Sequence, residues 1–164
     1  ELGIDCGQPY ATDDLVVAWN HNDDEGESGT SAAVLVDPAT NTAGPPIPLP
    51  VDVFAPVVLD DVVFFPGNGG DGTAVVVDRA AATVTATPHL GRPTAGSLSV
   101  SDGERIFVPT KDGVEEVLVV DASTFEVVDT LRTLGSNSVA LLDGSLWTTS
   151  GEYGLLQRHD DVTG

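Results

Sequence analysis

The side chains best suited to chemistry lie in glycine- and aspartate-rich stretches between short apolar runs. The longest such stretch, residues 20–31 (NHNDDEGESGTS), concentrates His21, Asp23, Asp24, Glu25 and Glu27. Oxygen donors at Asn20, Asn22 and Asp24 have the every-second-residue spacing by which a calcium loop surrounds its ion. Gly26 falls one place late for that loop, however, and Ser31 stands where a bidentate Glu is expected. The stretch therefore reads as a flexible solvated loop, with calcium as its one candidate metal; no other cofactor is implied. His89 and Arg92 share the segment HLGRP, a pairing that can hold a carboxylate or move a proton near neutral pH. Asn68 and Asp71 in GNGGDG, Lys111 and Asp112, Arg132 and Tyr153 supply further polar groups between apolar runs.

Stronger catalytic signatures are missing from the sequence. It contains no Gly-x-Ser-x-Gly elbow, no His-Glu-x-x-His pair and no phosphate-binding glycine loop. Cys6 is the single cysteine, so it can form no disulfide within the chain and reads as a small buried apolar residue. No catalytic residue is assigned, and the question of enzymatic activity stays open.

Twenty-six acidic against six basic residues give a formal charge of −20 over 164 residues. That field repels phosphate backbones and anionic lipid, and it excludes nucleic acid as an expected partner. No apolar run approaches the length of a membrane span, so membrane insertion is not expected either. The chain begins at Glu1 and holds no Met, which reads as a processed start with a signal already removed. The expectation is an extracellular or cell-surface protein.

The elements that must position these polar groups follow from a recurring phrase, an apolar run closing on Asp with Thr or Ala three places on. Its copies are AVLVDPAT, AVVVDRAA, VLVVDAST and LLQRHDDVT, with Asp37, Asp78, Asp121 and Asp160 at steps of 41, 43 and 39 residues. Periods of this size belong to small β-sheet repeats. Upstream of each Asp come a polar loop and then a β-branched or aromatic stretch: residues 15–20, 62–66, 105–110 and 145–149. Each of these follows a tight turn rich in Asp and Gly. Residues 54–59, 95–100 and 137–142 read as the first strand of a unit, with 5–10 as the earliest. Residues 83–87 and 125–131 read as half-exposed outer strands. The recurring Asp should cap the turn that follows it, a structural role. Trp19 and Trp147 fall in equivalent second strands and should pack between units. The proline-rich residues 43–50 should form an edge strand rather than a ligand.

The fold expected is all-β, with four-stranded antiparallel sheets as the blades of a β-propeller in one domain, 1–164. Approximate blades are 4–48, 53–88, 94–132 and 137–164, the last lacking its outer strand. An incomplete propeller of three to four blades is expected, with a four-bladed or oligomer-completed ring as the rival. Residues 36–42 (VDPATNT) and 100–110 (VSDGERIFVPT) resemble the YVTN-type propeller repeats of bacterial and archaeal surface proteins, which are related to quinoprotein-dehydrogenase-like propellers. Phe65-Pro66-Gly67 and Thr148-Thr149-Ser150 depart from the YVTN phrase. The resemblance implies the fold more than an activity.

In a propeller, the loops joining second to third strands share one face with the links between blades. This face would gather His21, Asp23, Asp24, Glu25, Asn68, Asp71, His89, Arg92, Lys111, Asp112, Arg132 and Tyr153, and would leave His159 on the other. The function expected is an extracytoplasmic interaction module binding a protein or surface glycan there, the partner being basic or cationic. Remaining blades or another chain could complete the ring. The alternative is an enzyme or enzyme subunit of quinoprotein or lyase type, using His21, His89 and Arg92 near the axis.

Overall fold

The computed structural model describes residues 9–20, 31–68, 70–95, 98–111, 116–134, 138–150 and 153–160, which are all strand, turn and irregular backbone. Among the described residues sixteen strands form four antiparallel sheets, arranged as a four-blade β-propeller. Blade 1 holds β1 (Tyr10–Ala11), β2 (Val16–Trp19) and β3 (Ala32–Asp37), with β4 (Thr42–Ala43) and β5 (Ile47–Pro48) both on the outer edge of β3. Blade 2 is β6 (Val57–Val58), β7 (Val62–Phe65), β8 (Val75–Asp78) and β9 (Thr83–Ala86). Blade 3 is β10 (Val100–Ser101), β11 (Arg105–Pro109), β12 (Glu116–Asp121) and β13 (Val127–Arg132). Blade 4 is β14 (Ser138–Leu142), β15 (Ser145–Ser150) and β16 (Leu155–His159).

Successive side chains on a strand point to opposite faces, so a wholly apolar central strand is what a sheet buried on both sides requires. In β7, Val63 and Phe65 join the cluster shared with blade 1, while Phe64 joins the cluster shared with blade 3. In β11, Ile106 and Val108 face blade 2, and Phe107 packs against Val139 and Leu146 of blade 4. Trp19 sits in the blade 1–2 cluster, as its inter-blade reading requires. Blades 2 and 3 thus each offer one apolar flank backward and one forward, and the core of the described residues runs as three layers between four sheets. Phe64 and Phe107 are wholly buried, and truncating either to Ala costs about 3–5 kcal/mol.

The recurring Asp caps its turn at three copies. Asp37 Oδ1 accepts from Ala39 N at 2.8 Å, and Oδ2 from Thr40 Oγ1 at 2.7 Å. Asp78 Oδ1 accepts from Ala81 N at 2.7 Å, and Asp121 Oδ1 from Ser123 N at 2.9 Å and Thr124 N at 2.8 Å. These bonds stabilise the charged carboxylate, and the Ser123 hydroxyl leads in holding Asp121 down at about 2. The residue four places after each Asp, namely Asn41, Ala82 or Phe125, takes a left-handed φ of 53°, 51° or 60°. Phe125 is bulky for that region, and it stacks on Phe64 of the preceding blade with ring centroids 6.1 Å apart.

First strands are shorter than the sequence suggests. Only two residues pair in β6, where Pro56 precedes the ladder, and two in β10, whereas β14 pairs over five. Preceding residues make isolated bridges instead, Val53 to Gly67 and Thr94 to Thr110. The outer strands of blades 2 and 3 each carry a register shift against the third strand. That of blade 1 is split by residues 44–46, where Gly44 N donates to Leu35 O at 2.8 Å.

Candidate binding face

Antiparallel pairing fixes which connections share a face. The joins of β2–β3, β7–β8 and β11–β12 leave the sheets on the same side as the links between blades, and these links fold down onto the ends of the next second strand. Asn68 N donates to Asp52 O and Phe54 N to Pro66 O, both at 2.8 Å. One blade later Ala95 N donates to Pro109 O at 2.8 Å, and Lys111 N to Pro93 O at 3.2 Å. Asp52 and Asn68 thereby occupy the positions that Pro93 and Lys111 occupy in the next blade.

From this scaffold a ladder of half-buried polar side chains crosses three blades. The Asp52 carboxylate receives Ser31 Oγ at 3.1 Å, Val53 N at 3.1 Å and Asn68 Nδ2 at 2.8 Å. Asn68 Oδ1 in turn accepts from Lys111 Nζ at 3.4 Å, and that ammonium lies 5.9 Å from the Phe54 ring centroid. The ammonium is thus held in place between an amide oxygen and an aromatic face. Thr94, wholly buried, donates to Gly67 O at 2.6 Å beneath the ladder.

Two further charge groups stand beside it. His89 Nδ1 is 2.9 Å from Thr73 Oγ1 and 3.7 Å from Asp71 Oδ2. The Thr73 backbone N–H, first among its partners, holds the Asp71 carboxyl below its ordinary value. Arg92 Nε lies 3.2 Å from Glu116 Oε2, an ion pair without an aligned hydrogen bond to that oxygen. Arg132 is exposed at the end of β13, in register with Glu116. Tyr153 is exposed and its N donates to Ser150 Oγ.

Of the residues singled out in sequence, Asn68 and Lys111 meet in the ladder, while His89 and Arg92 enter two separate pairs. His21, Asn22, Asp23, Asp24, Glu25 and Asp112 lie outside the described residues. The Asn20 amide oxygen is engaged at the loop base, accepting from Ala32 N at 2.5 Å. Among the described residues no cluster of three metal-ligating side chains forms. His159 ends β16, its Nε2 3.4 Å from Thr148 Oγ1, and burial lowers its pKa.

Phe54 and Glu116 escape sequence reasoning, and Ser31 and Asp52, though in segments expected on this face, were given no binding role there, for their partners come from other blades at irregular spacing. GNGGDG reads as a plain turn, yet a Cβ on Gly67 would lie 1.7 Å from Thr73 O, and one on Gly72 would lie 1.9 Å from Arg92 O. Those glycines admit close backbone contact.

Opposite this face, clefts open between adjacent turns. One of about 450 Å³ includes Asp60, Ser101 and Phe125; another of about 470 Å³ includes Asp14, Thr40 and Arg79. They recur at the equivalent place between blades 1–2 and 2–3, as stacking of like modules requires.

The fold and this face define a four-blade β-propeller module with an irregular polar surface on one side. No family model and no curated protein matches the chain. Among solved structures it is similar to BamB from Moraxella catarrhalis at 18% identity and a TM-score of 0.68, covering 93% of this chain and 42% of that one. It is similar to the hydrazine synthase of Kuenenia stuttgartiensis at 16% identity and a TM-score of 0.67, covering 90% and 43%. The computationally designed Ika4 protein matches at 14% identity and a TM-score of 0.62, covering 93% and 88%. The chain therefore spans less than half the length of the two natural proteins. At these identities the likeness establishes the fold.

Proposed function

We propose that the protein is an extracytoplasmic interaction module that binds a partner protein or surface glycan through its loop face. The observation that carries this reading is the ladder from Ser31 through Asp52 and Asn68 to Lys111, which presents ordered polar groups from three blades on a rigid scaffold. The propeller neighbours, BamB among them, support an interaction role. Overall charge of −20 favours a basic or cationic partner and rapid encounter at low salt. His89 and Arg92 are engaged with different acids, which supports binding over acid–base catalysis. A calcium ion held by Asn22 and Asp24 remains part of the proposal for residues 20–31.

Affinity enrichment from the envelope fraction of the native host tests it. The wild-type protein should retain a specific partner, and the Asn68→Ala/Lys111→Ala double variant should lose it by about tenfold or more with thermal stability unchanged. Equal retention by both proteins would refute a role for this face.

A further inference from the structure

On the turn face the capping Asp recurs but the residue after it does not: Arg79 follows Asp78, and Ala122 follows Asp121. The backbone equates these two positions, since Arg79 N donates to Asp61 O at 3.0 Å and Ala122 N to Glu104 O at 2.9 Å. The turns before the second strands correspond likewise, with Thr12 N donating to Leu15 O, Leu59 N to Val62 O and Asp102 N to Arg105 O. By that register Asp14 of blade 1 matches Asp61 of blade 2, and Leu59 and Asp60 match Asp102 and Gly103. Between blades 1 and 2 this frame holds a guanidinium. Arg79 Nη1 donates to Leu59 O at 2.9 Å and to Asp60 O at 2.8 Å, and Nη2 reaches across the blade boundary to the Asp14 carboxylate at 2.6 Å. One blade on, the acceptor positions return without the donor. Asp61 lines a cleft of about 450 Å³ together with Asp60, Gly103 and Ala122, and Ser123 adds a hydroxyl where the other cleft has Ala80. None of the six Lys and Arg residues lines this cleft, and Arg105 of the same turn is paired with Asp102 Oδ2 at 3.3 Å.

We propose that the cleft between blades 2 and 3 binds the guanidinium of an arginine side chain presented by a partner protein, in the place that Arg79 fills one blade earlier. The neighbouring cleft supplies the template: a planar fork of N–H donors meets main-chain carbonyls of one turn and a carboxylate of the next. A lysine ammonium is a point charge on a flexible stem and does not match that fork. Val62 and Phe125 line the cleft as well and offer apolar surface to the methylene stem of an incoming arginine. No three metal-ligating side chains converge among the described residues, which favours an organic cation over a metal ion here. The overall charge of −20 draws such a cation in. This site is on the face opposite the loop-face ladder and does not depend on it.

The probe is N-acetyl-arginine methylamide, titrated into isotope-labelled protein and followed by amide chemical shifts, with the lysine analogue and free arginine as comparisons. The wild type should bind it with a Kd on the order of 10 mM, moving the amides of Asp61, Gly103 and Ser123 and leaving those of Asp14 and Thr40 still. The lysine analogue should bind at least about threefold more weakly, and free arginine no more tightly than the capped form. Asp61→Asn, at an exposed position, should weaken binding about threefold or more, while Asp14→Asn in the filled cleft should leave it unchanged. Ala122→Arg should supply the guanidinium from within the chain and abolish binding. Arg79→Ala should empty the other cleft, so that the Asp14 and Thr40 amides respond to the probe too. The loop-face variant Asn68→Ala/Lys111→Ala should bind the probe as the wild type does, so the two readings fail separately. Four results would each overturn the proposal. They are no shift at a probe concentration on the order of 50 mM, equal binding of the lysine analogue, tighter binding of free arginine, or unchanged affinity in Asp61→Asn or Ala122→Arg.

Discussion

The two faces of this propeller are made by the same four sheets and obey different rules. On the turn face the same device repeats: an Asp accepts backbone N–H bonds, and four places on a residue takes left-handed φ, at Asn41, Ala82 and Phe125. On the loop face each blade contributes something different: Ser31 in blade 1, Asn68 in blade 2, Lys111 in blade 3. Repetition builds the scaffold, and departure from repetition gives the loop face a different set of polar groups in each blade.

Substitutions of single residues put that contrast to the test. Gly67→Ala on the loop face forces a Cβ into the Thr73 carbonyl, and urea denaturation should show a loss of roughly 3 kcal/mol or more. Gly103→Ala on the turn face meets no neighbouring atom and suffers only from its φ of 95°, so the same measurement should show about 1 kcal/mol. Equal losses would mean that the loop face is no more tightly built than a turn. Ala82→Gly relieves a left-handed alanine, and after the entropy cost of glycine it should stabilise the fold by about 0.5 kcal/mol in thermal melts.

The smallest effect is one of pH. The Asp121 carboxyl titrates at about 2 in the fold against an ordinary 3.8, and Asp37 is shifted the same way, chiefly by the Thr40 hydroxyl. Because folding lowers these values, the stabilisation is complete above about pH 4 and disappears as pH falls toward 2. Melting of Asp121→Asn followed between pH 5 and 2 should fall less steeply than that of the wild type. A parallel decline would mean that the capping carboxylates carry no acid sensitivity.

The same contrast explains what could be read from sequence. The third-strand phrase and the aromatic second strands recur in each blade, and the capping Asp in blades 1 to 3, because like modules solve one local problem, so the all-β propeller and the inter-blade place of Trp19 were legible. First strands were legible in place, β14 almost in full, but not in extent for β6 and β10, since Pro56 limits pairing ahead of β6 in a way that apolar pattern alone does not show. Asn68 and Lys111 were singled out as loop residues, and the structure brings their side chains together. Asp52, which joins Asn68 to Ser31, was expected on this face without a role of its own, since the residue at its place in the next blade is Pro93. Close backbone approach at Gly67 and Gly72 depends on links from neighbouring blades, and no local pattern records it.

The most direct test of the account compares both faces against the partner recovered by enrichment. Titration calorimetry would set Asp52→Ala/Asn68→Ala/Lys111→Ala beside Asp37→Ala/Asp78→Ala/Asp121→Ala, each variant first shown to be folded. Loss of affinity by about a hundredfold in the first and less than about threefold in the second is the result expected. The reverse order would place recognition on the repeated turns and contradict the division of labour between the two faces.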